Sequence, residues 1–317
     1  MIPFNERSIN IDAGVRCTLQ CPGCSRTKFK KLGKRIPGKD LTIEQFDKIT
    51  DYFNHKVGFC GTWSDPIFNK NFIEFLKICK HKNIYVEIST AASHKPEKWY
   101  EEAFSANKSA FWVFGIDGLP EESHKYRKNQ NGFKLFDMML SAKYYGLYVQ
   151  WQYIVFDYNV NHMKEAKKIA DFHKIDILFM ESFRLEAKDQ YTDIKPVLLS
   201  DEKKSGQIGW HKLQNKKLKN NFKPKCLLTD RALSFSSTGH ILPCCWLNIA
   251  IKENQIDKLF SKKLHIDNNT VQEIIDSDEW KNFFNKLEND PIESLPDTCK
   301  GYCSVDLNTN IESNIIL

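Results

Sequence analysis

The chain is 317 residues long, 41% hydrophobic and 27% charged, with a net charge of +6 and ten cysteines. That is an ordinary globular composition, long enough for a barrel-sized unit plus a smaller appendage. It excludes a bilayer-spanning helix, since no apolar run approaches ~18 residues. The N-terminal run Met1-Ile2-Pro3-Phe4-Asn5-Glu6-Arg7 lacks the basic-then-apolar layout of an export signal. Ten cysteines without such a signal point to reduced thiols that ligate metal, not to a disulfide framework, so a cytoplasmic protein is expected.

Residues 8–182 read as six strand–helix units, with strands at 8–13, 57–62, 84–90, 111–117, 148–156 and 176–182. The first helix follows Thr42, where Thr42-Ile43-Glu44-Gln45 fits a capping box. Others are expected over 71–82, 96–105, 132–145 (ended by Gly146) and 162–173. Strands alternating with helices at this pace imply parallel βαβ units with helices outside the sheet. Six of them predict an α/β fold: a partial (β/α)6 TIM-like barrel over 1–185, a lysine-rich connecting segment over 186–222 and a small C-terminal domain over 223–317. Strand parity predicts a polar lumen. Ser8, Asn10 and Asp12 oppose Ile9 and Ile11; Tyr85, Glu87 and Ser89 oppose Ile84, Val86 and Ile88; Gln150 and Gln152 oppose Val149, Trp151, Tyr153 and Val155. A packed barrel fills its centre with branched apolar side chains. Polar inner faces suit a polar ligand, with an open sheet carrying one wet face as the competing reading.

The chemistry sits between these elements. Directly after the first strand, Cys17-Thr18-Leu19-Gln20-Cys21-Pro22-Gly23-Cys24 places three thiols within eight residues. Such a loop holds three irons of a four-iron cube and leaves the fourth open to a small chelating molecule; a zinc knuckle is the alternative. After the second strand comes Gly61-Thr62-Trp63-Ser64-Asp65-Pro66, and after the fourth Ile116-Asp117-Gly118-Leu119, followed by His124, Tyr126 and Arg127. Four further cysteines, Cys226, Cys244, Cys299 and Cys303, lie near the end of the chain, with Gly239 in a hairpin-like run before Cys244. Cys79 on a helix and Cys60 beside the 61–66 turn read as packing thiols. Eight lysines between Lys203 and Lys225 surround Trp210 and His211; such a run is more often a solvated linker than a nucleic-acid contact.

The C-x3-C-x2-C spacing and the order of these motifs resemble the radical S-adenosylmethionine (radical SAM) superfamily, and the second cysteine set resembles a C-terminal SPASM/Twitch auxiliary-cluster domain. The resemblance covers nearly the whole chain. It implies two [4Fe-4S] clusters: one held by Cys17, Cys21 and Cys24 and chelated by SAM, and one auxiliary cluster held by Cys226, Cys244, Cys299 and Cys303, with Cys245 ambiguous. No cysteine follows Cys303, so a single auxiliary cluster of the Twitch type is expected. A structural zinc is the alternative there too. The 61–66 run is similar to the family's Gly-Gly-Glu-Pro element that binds the SAM amino group, with Ser64 and Asp65 in place of the second Gly and the Glu. The 116–127 run is similar to a Ser-Ile-Asp-Gly…Tyr-Arg stretch, with Gly115 at the Ser position and Arg127 matching the residue that holds the SAM carboxylate. SAM-binding residues implied in this way are Ser64, Asp65, Ser89, Asp117 and Arg127, and Asn159 stands where relatives have an Asn. Gly23 replaces an aromatic residue that packs on adenine, so adenine is expected near Ile154 or Phe156.

Such proteins cleave SAM reductively to a 5′-deoxyadenosyl radical that takes a hydrogen atom from substrate. The expected activity is radical modification of a peptide or protein side chain, with Glu87, Gln152 and Glu181 as lumen candidates for substrate contact and a flavodoxin- or ferredoxin-type reductant as partner. Only 16 residues precede Cys17, too few for the N-terminal recognition domain of many peptide-maturing relatives, so recognition would be delegated. A small metabolite, sugar or nucleotide is the second substrate class, and a zinc-bound interaction protein the non-enzymatic reading. No membrane or nucleic-acid partner is expected.

Overall fold

The computed structural model describes residues 3–182, 192–197, 199, 224–228, 232–249 and 256–302. Its centre is an eight-stranded sheet of β1 (Ile9–Ile11), β2 (Lys56–Phe59), β3 (Tyr85–Thr90), β4 (Phe111–Gly115), β5 (Tyr148–Val155), β6 (Asp176–Glu181), β7 (Leu233–Phe235) and β8 (Ile241–Leu242). The order is β6-β5-β4-β3-β2-β1-β7-β8, parallel throughout except for the β7–β8 hairpin. Helices α1 (Ser25–Lys31), α2 (Ile43–Tyr52), α3 (Phe72–His81), α4 (Glu97–Ala106), α5 (Gly132–Tyr144) and α6 (Met163–Phe172) intervene between the strands. The result is an α/β partial barrel. Among the described residues no helix is long and apolar enough to cross a membrane.

The period-2 pattern explains how sheet and helices meet. Ile9, Ile11, Val57, Phe59, Ile88 and Trp112 are completely buried against the helices. Each such large apolar side chain contributes roughly 1.5–3 kcal/mol by leaving water. On the helix side Phe46 of α2 and Phe75 of α3 lie 4.5 Å apart by ring centroid, and Phe59 meets Phe72 edge-on at 5.2 Å. The α2 start is the capping box read from the sequence: Gln45 N donates to Thr42 Oγ1 at 3.2 Å and Thr42 N to Gln45 Oε1 at 3.1 Å. Gly146, with φ +84°, follows the end of α5 in a left-handed conformation that favours glycine.

Two elements differ from expectation. Helix α1 begins directly after Cys24, although Ser25-Arg26-Thr27-Lys28-Phe29-Lys30-Lys31 has no apolar period to announce it. The hairpin around Gly239 is present, but β7 also pairs in parallel with β1, with Asn10 opposite Ser234. The C-terminal segment therefore continues the main sheet. Of the connecting segment, only 192–197 and 199 are described; Asp157 N donates to Lys195 O at 2.8 Å, which lays that piece beside the end of β5.

Candidate active site

The loop between β1 and α1 lies at the C-terminal end of the parallel strands, where such sheets bind ligands. Its backbone is anchored on three sides. Gln20 N donates to Lys128 O at 3.0 Å, Asn129 Nδ2 to Thr18 O at 3.2 Å, and Asp65 N to Arg16 O at 2.9 Å. The buried guanidinium of Arg26 donates to Leu19 O inside the loop. Phe29 of α1 meets the buried Trp63 ring edge-on at 4.8 Å, fixing the helix against the turn after β2. Cys21 joins Leu19, Ala91, Tyr126 and Phe156 in one apolar cluster, with Cys17, Cys24 and Ile154 packed against it. Tyr126 and Phe156 stack with centroids 4.2 Å apart, forming an aromatic shelf beside the cysteines. Burial pushes the Cys17 thiol up to about 12; the charge of Asp65 adds to this and that of Arg26 opposes it.

Among the described residues, no three His, Cys, Asp or Glu side chains converge as they would around one metal ion. A four-iron cube takes thiolate ligands, and three cysteines on one loop can supply them. The donor set is all sulfur, and two guanidinium groups, Arg26 and Arg127, stand near Cys17 and Cys21 to balance the negative charge of such a cluster.

The turn after β2 is held from two sides. Asp12, at the end of β1, accepts from Thr62 N at 3.1 Å, Trp63 N at 2.8 Å and Ser64 Oγ at 2.7 Å. Asn248, from the C-terminal segment, donates to the same carboxylate at 3.2 Å. Burial pushes the Asp12 carboxyl up to about 7, although these hydrogen bonds pull the other way. Asp65 turns instead toward the loop after β3, where Thr90 Oγ1 and Ala91 N donate to it at 2.9 Å and Ala92 N at 3.0 Å. Burial raises its carboxyl as well.

At the end of β4, Asp117 is fully buried and pairs with Arg127, Nε to Oδ2 at 2.8 Å and Nη2 to Oδ1 at 3.2 Å. Burial works against the Arg127 charge, but Asp117 outweighs it and keeps the guanidinium more firmly protonated than usual. A Cβ on Gly115 would lie 2.9 Å from Arg127 Nη2, so the missing side chain at 115 is what leaves room for the guanidinium over the strand end. Asn159 is completely buried and uses its carboxamide on the end of β5, accepting from Phe156 N at 2.8 Å and donating to Ile154 O at 3.0 Å.

The inner face of the sheet is polar. Asn10, Gly58 and Glu87 lie side by side on β1, β2 and β3. Glu87 is paired with Lys56 at 2.9 Å; burial raises its carboxyl and Lys56 opposes the shift. Gln152 donates from Nε2 to Met180 Sδ at 3.1 Å. Glu181 departs from expectation: it stands opposite the fully buried Val155, on the helix side of the sheet, and accepts from Leu199 N at 2.8 Å. It is not a lumen residue, because the register of β6 sends it to the other face. Ser89 hydrogen-bonds the Cys60 thiol. Cys79 is the core thiol expected, whereas Cys60 is exposed to the lumen and does not pack.

Cys226, Cys244 and Cys299 are buried in the main apolar core, and Cys245 is half-buried. The helix Asp297–Tyr302, which carries Cys299, packs against the turn Cys245–Ile249 that follows Cys244. Cys303 lies outside the described residues. Arg26 and the bracing role of Asp12 were not read from the sequence. A cation two residues after Cys24 was the available signal for the first; nothing local reports the second.

A family model described as the Radical SAM superfamily matches residues 11–171. Among solved structures, "Native anSMEcpe with bound AdoMet and Cp18Cys peptide" is similar at 16% identity and TM-score 0.56, covering 93% of this chain and 88% of that one. "Crystal structure of Streptococcus suis SuiB" matches at 15% identity and TM-score 0.54, over 81% of this chain and 66% of that one. "Crystal structure of Streptococcus suis SuiB bound to precursor peptide SuiA" matches at 12% identity and TM-score 0.55, over 81% and 65%. A search of the curated proteins finds no match.

Proposed function

The chain belongs to the radical SAM superfamily and is an enzyme of that class, and from this premise we propose that it modifies a peptide or protein side chain. When bound, the cluster and SAM supply a carbon radical that takes a hydrogen atom from the substrate. The protein's own contribution is to hold, orient and shield. Cys17, Cys21 and Cys24 would ligate the cluster, with Arg26 and Arg127 offsetting its charge. The 61–65 turn, braced by Asp12 below and by Asp65 across to β3, would present its backbone and Ser64 to the SAM amino group. Arg127, kept charged and aimed by Asp117, would hold the SAM carboxylate as a charge-assisted pair. The shelf of Tyr126, Phe156 and Ile154 would receive the adenine that Gly23 cannot cover. Glu87, Ser89 and Gln152 line the lumen within which a substrate would bind.

One observation carries this reading: the cysteine loop, the Asp117-aimed Arg127 and the aromatic shelf meet at one end of the parallel strands. The peptide substrate is supported by fold neighbours whose structures contain peptides, anSMEcpe with Cp18Cys and SuiB with SuiA. For the second set, Cys226, Cys244, Cys299 and Cys303 would hold an auxiliary [4Fe-4S] cluster of the SPASM/Twitch kind, and a low-potential flavodoxin- or ferredoxin-type protein would supply electrons. Seven of the ten cysteines used in this way fit a reducing, cytoplasmic setting. Anaerobic reconstitution followed by metal analysis tests both sites, with about eight irons per chain expected. Addition of SAM and dithionite should then release 5′-deoxyadenosine. Candidate peptides deuterated at side-chain carbons identify the substrate when deuterium appears in that product. Zinc in place of iron, with SAM left intact, would overturn the reading.

A further inference from the structure

Cys60 belongs to none of the roles above. It follows β2 directly, its neighbour Phe59 points into the helix-side core, and the thiol itself is open to the lumen. Its exposure is to the interior of the barrel and not to the outer surface, which is why burial still dominates its chemistry. Burial first, then the charges of Asp12 and Glu87, push the thiol up to about 11, with the Ser89 hydrogen bond opposing. At neutral pH this sulfur keeps its hydrogen. It is a poor nucleophile, since that role requires thiolate.

A second feature of the same wall points to a ligand. Asn10 is 9% exposed, yet its carboxamide makes no hydrogen bond among the described residues. Its Oδ1 stands over Gly58, 3.4 Å from where a Cβ would be, and Gly58 leaves a hollow between Asn10 and the Glu87–Lys56 pair. Lacking a protein partner, this amide is left to water or to a bound group in the lumen. A peptide group, with one donor and one acceptor, matches it.

We propose that Cys60 donates a hydrogen atom to a carbon radical formed in the lumen, the substrate's when substrate is bound and the SAM-derived one when it is not, with Asn10 binding a polar group of the substrate. The inference rests on the radical reading given above. The carbon radical takes the hydrogen atom from sulfur: the S–H bond breaks, a C–H bond forms, and Cys60 is left as a thiyl radical. One electron from a low-potential iron–sulfur or flavin protein and one proton from water then restore the thiol. The product carries a solvent-derived hydrogen on the attacked carbon, and that carbon undergoes no net oxidation.

Two measurements decide it. In the first, the as-isolated protein is treated with iodoacetamide and the Cys60 and Cys79 peptides are mapped by mass. Cys60 should react slowly at pH 8 and faster as the pH rises, while Cys79 stays unmodified until the protein unfolds; equal protection of the two overturns the placement. In the second, reconstituted protein is given SAM and dithionite in D2O, without added thiol or substrate. Wild type should yield 5′-deoxyadenosine heavier by one deuterium, taken from the exchanged thiol. Cys60→Ser and Cys60→Ala should yield unlabelled product, and Cys79→Ser should keep the label. The readout is the isotope content of each molecule formed, whatever the amount. Label that persists in Cys60→Ser, or is absent from wild type, overturns the donor role while leaving the family reading intact. No 5′-deoxyadenosine from wild type removes that reading and this inference with it.

Discussion

The two cysteine regions are built in opposite ways. The N-terminal trio sits on a loop pinned by its backbone to the ends of neighbouring strands, with two guanidinium groups and an aromatic shelf alongside. The C-terminal cysteines are sunk in the same apolar core that holds Phe46 and Phe75. A site that must admit a ligand needs anchored backbone and an open side, whereas a site that only stores or passes electrons can be enclosed. The difference teaches that only the first region is built to admit a ligand.

Cysteine replacement gives the largest effect. Any of Cys17, Cys21 or Cys24 changed to Ala should abolish SAM cleavage and remove about four irons per chain. Replacing Cys226, Cys244 or Cys299 should also cost about four irons yet leave 5′-deoxyadenosine formation in place. A C-terminal replacement that stops SAM cleavage outright would erase the distinction. Next comes Arg127→Gln. Loss of charge-assisted bonds worth about 1.5–3 kcal/mol should raise the KM for SAM roughly ten- to a hundredfold without altering the iron content.

Asp12 tests how tightly the two regions are joined, since Asn248 and the 62–64 turn meet on its carboxylate. Its folded value of about 7 lies above the ordinary 3.8. The folded state therefore holds the proton more firmly, and the resulting stability is full below about pH 4 and lost as the pH rises through about 7. The slope in that window is at most about 1.4 kcal/mol per pH unit. Asp12→Asn should flatten it in urea melts at pH 5 and 7.5. An unchanged slope would mean that Asp12 does not titrate there. The smallest effect is expected from Gly115→Ser. Its side chain displaces only the flexible end of Arg127, so the KM for SAM should rise about two- to threefold, under 1 kcal/mol.

Much of the scaffold was legible because period-2 alternation survives in β2, β3 and β5: Val86 and Ile88 inward to the helices, Glu87 to the lumen. The candidate site was legible only where a residue type announces itself, as with the cysteine spacing; Arg127 was marked as a site residue, but its pairing with Asp117 was not read. Asp65 shows the limit. Its carboxylate was expected to meet the SAM amino group, but it is taken up by Thr90, Ala91 and Ala92, twenty-five and more residues onward. Arg26 and Cys60 show it again, since burial of a cation and exposure of a thiol depend on what folds around them. The seven residues of α1 had no period to read, and Glu181 changed sides through a register that no local pattern encodes.

The short strand β1 is flanked by β2 on one side and β7 on the other. An enzyme assembled this way cannot be split into a transplantable N-terminal half and a detachable C-terminal one. Shortening the polypeptide before Leu233 would strip hydrogen bonds from the strand that feeds the cysteine loop and bare an adhesive edge. Grafting or swapping of modules across relatives would have to respect that seam.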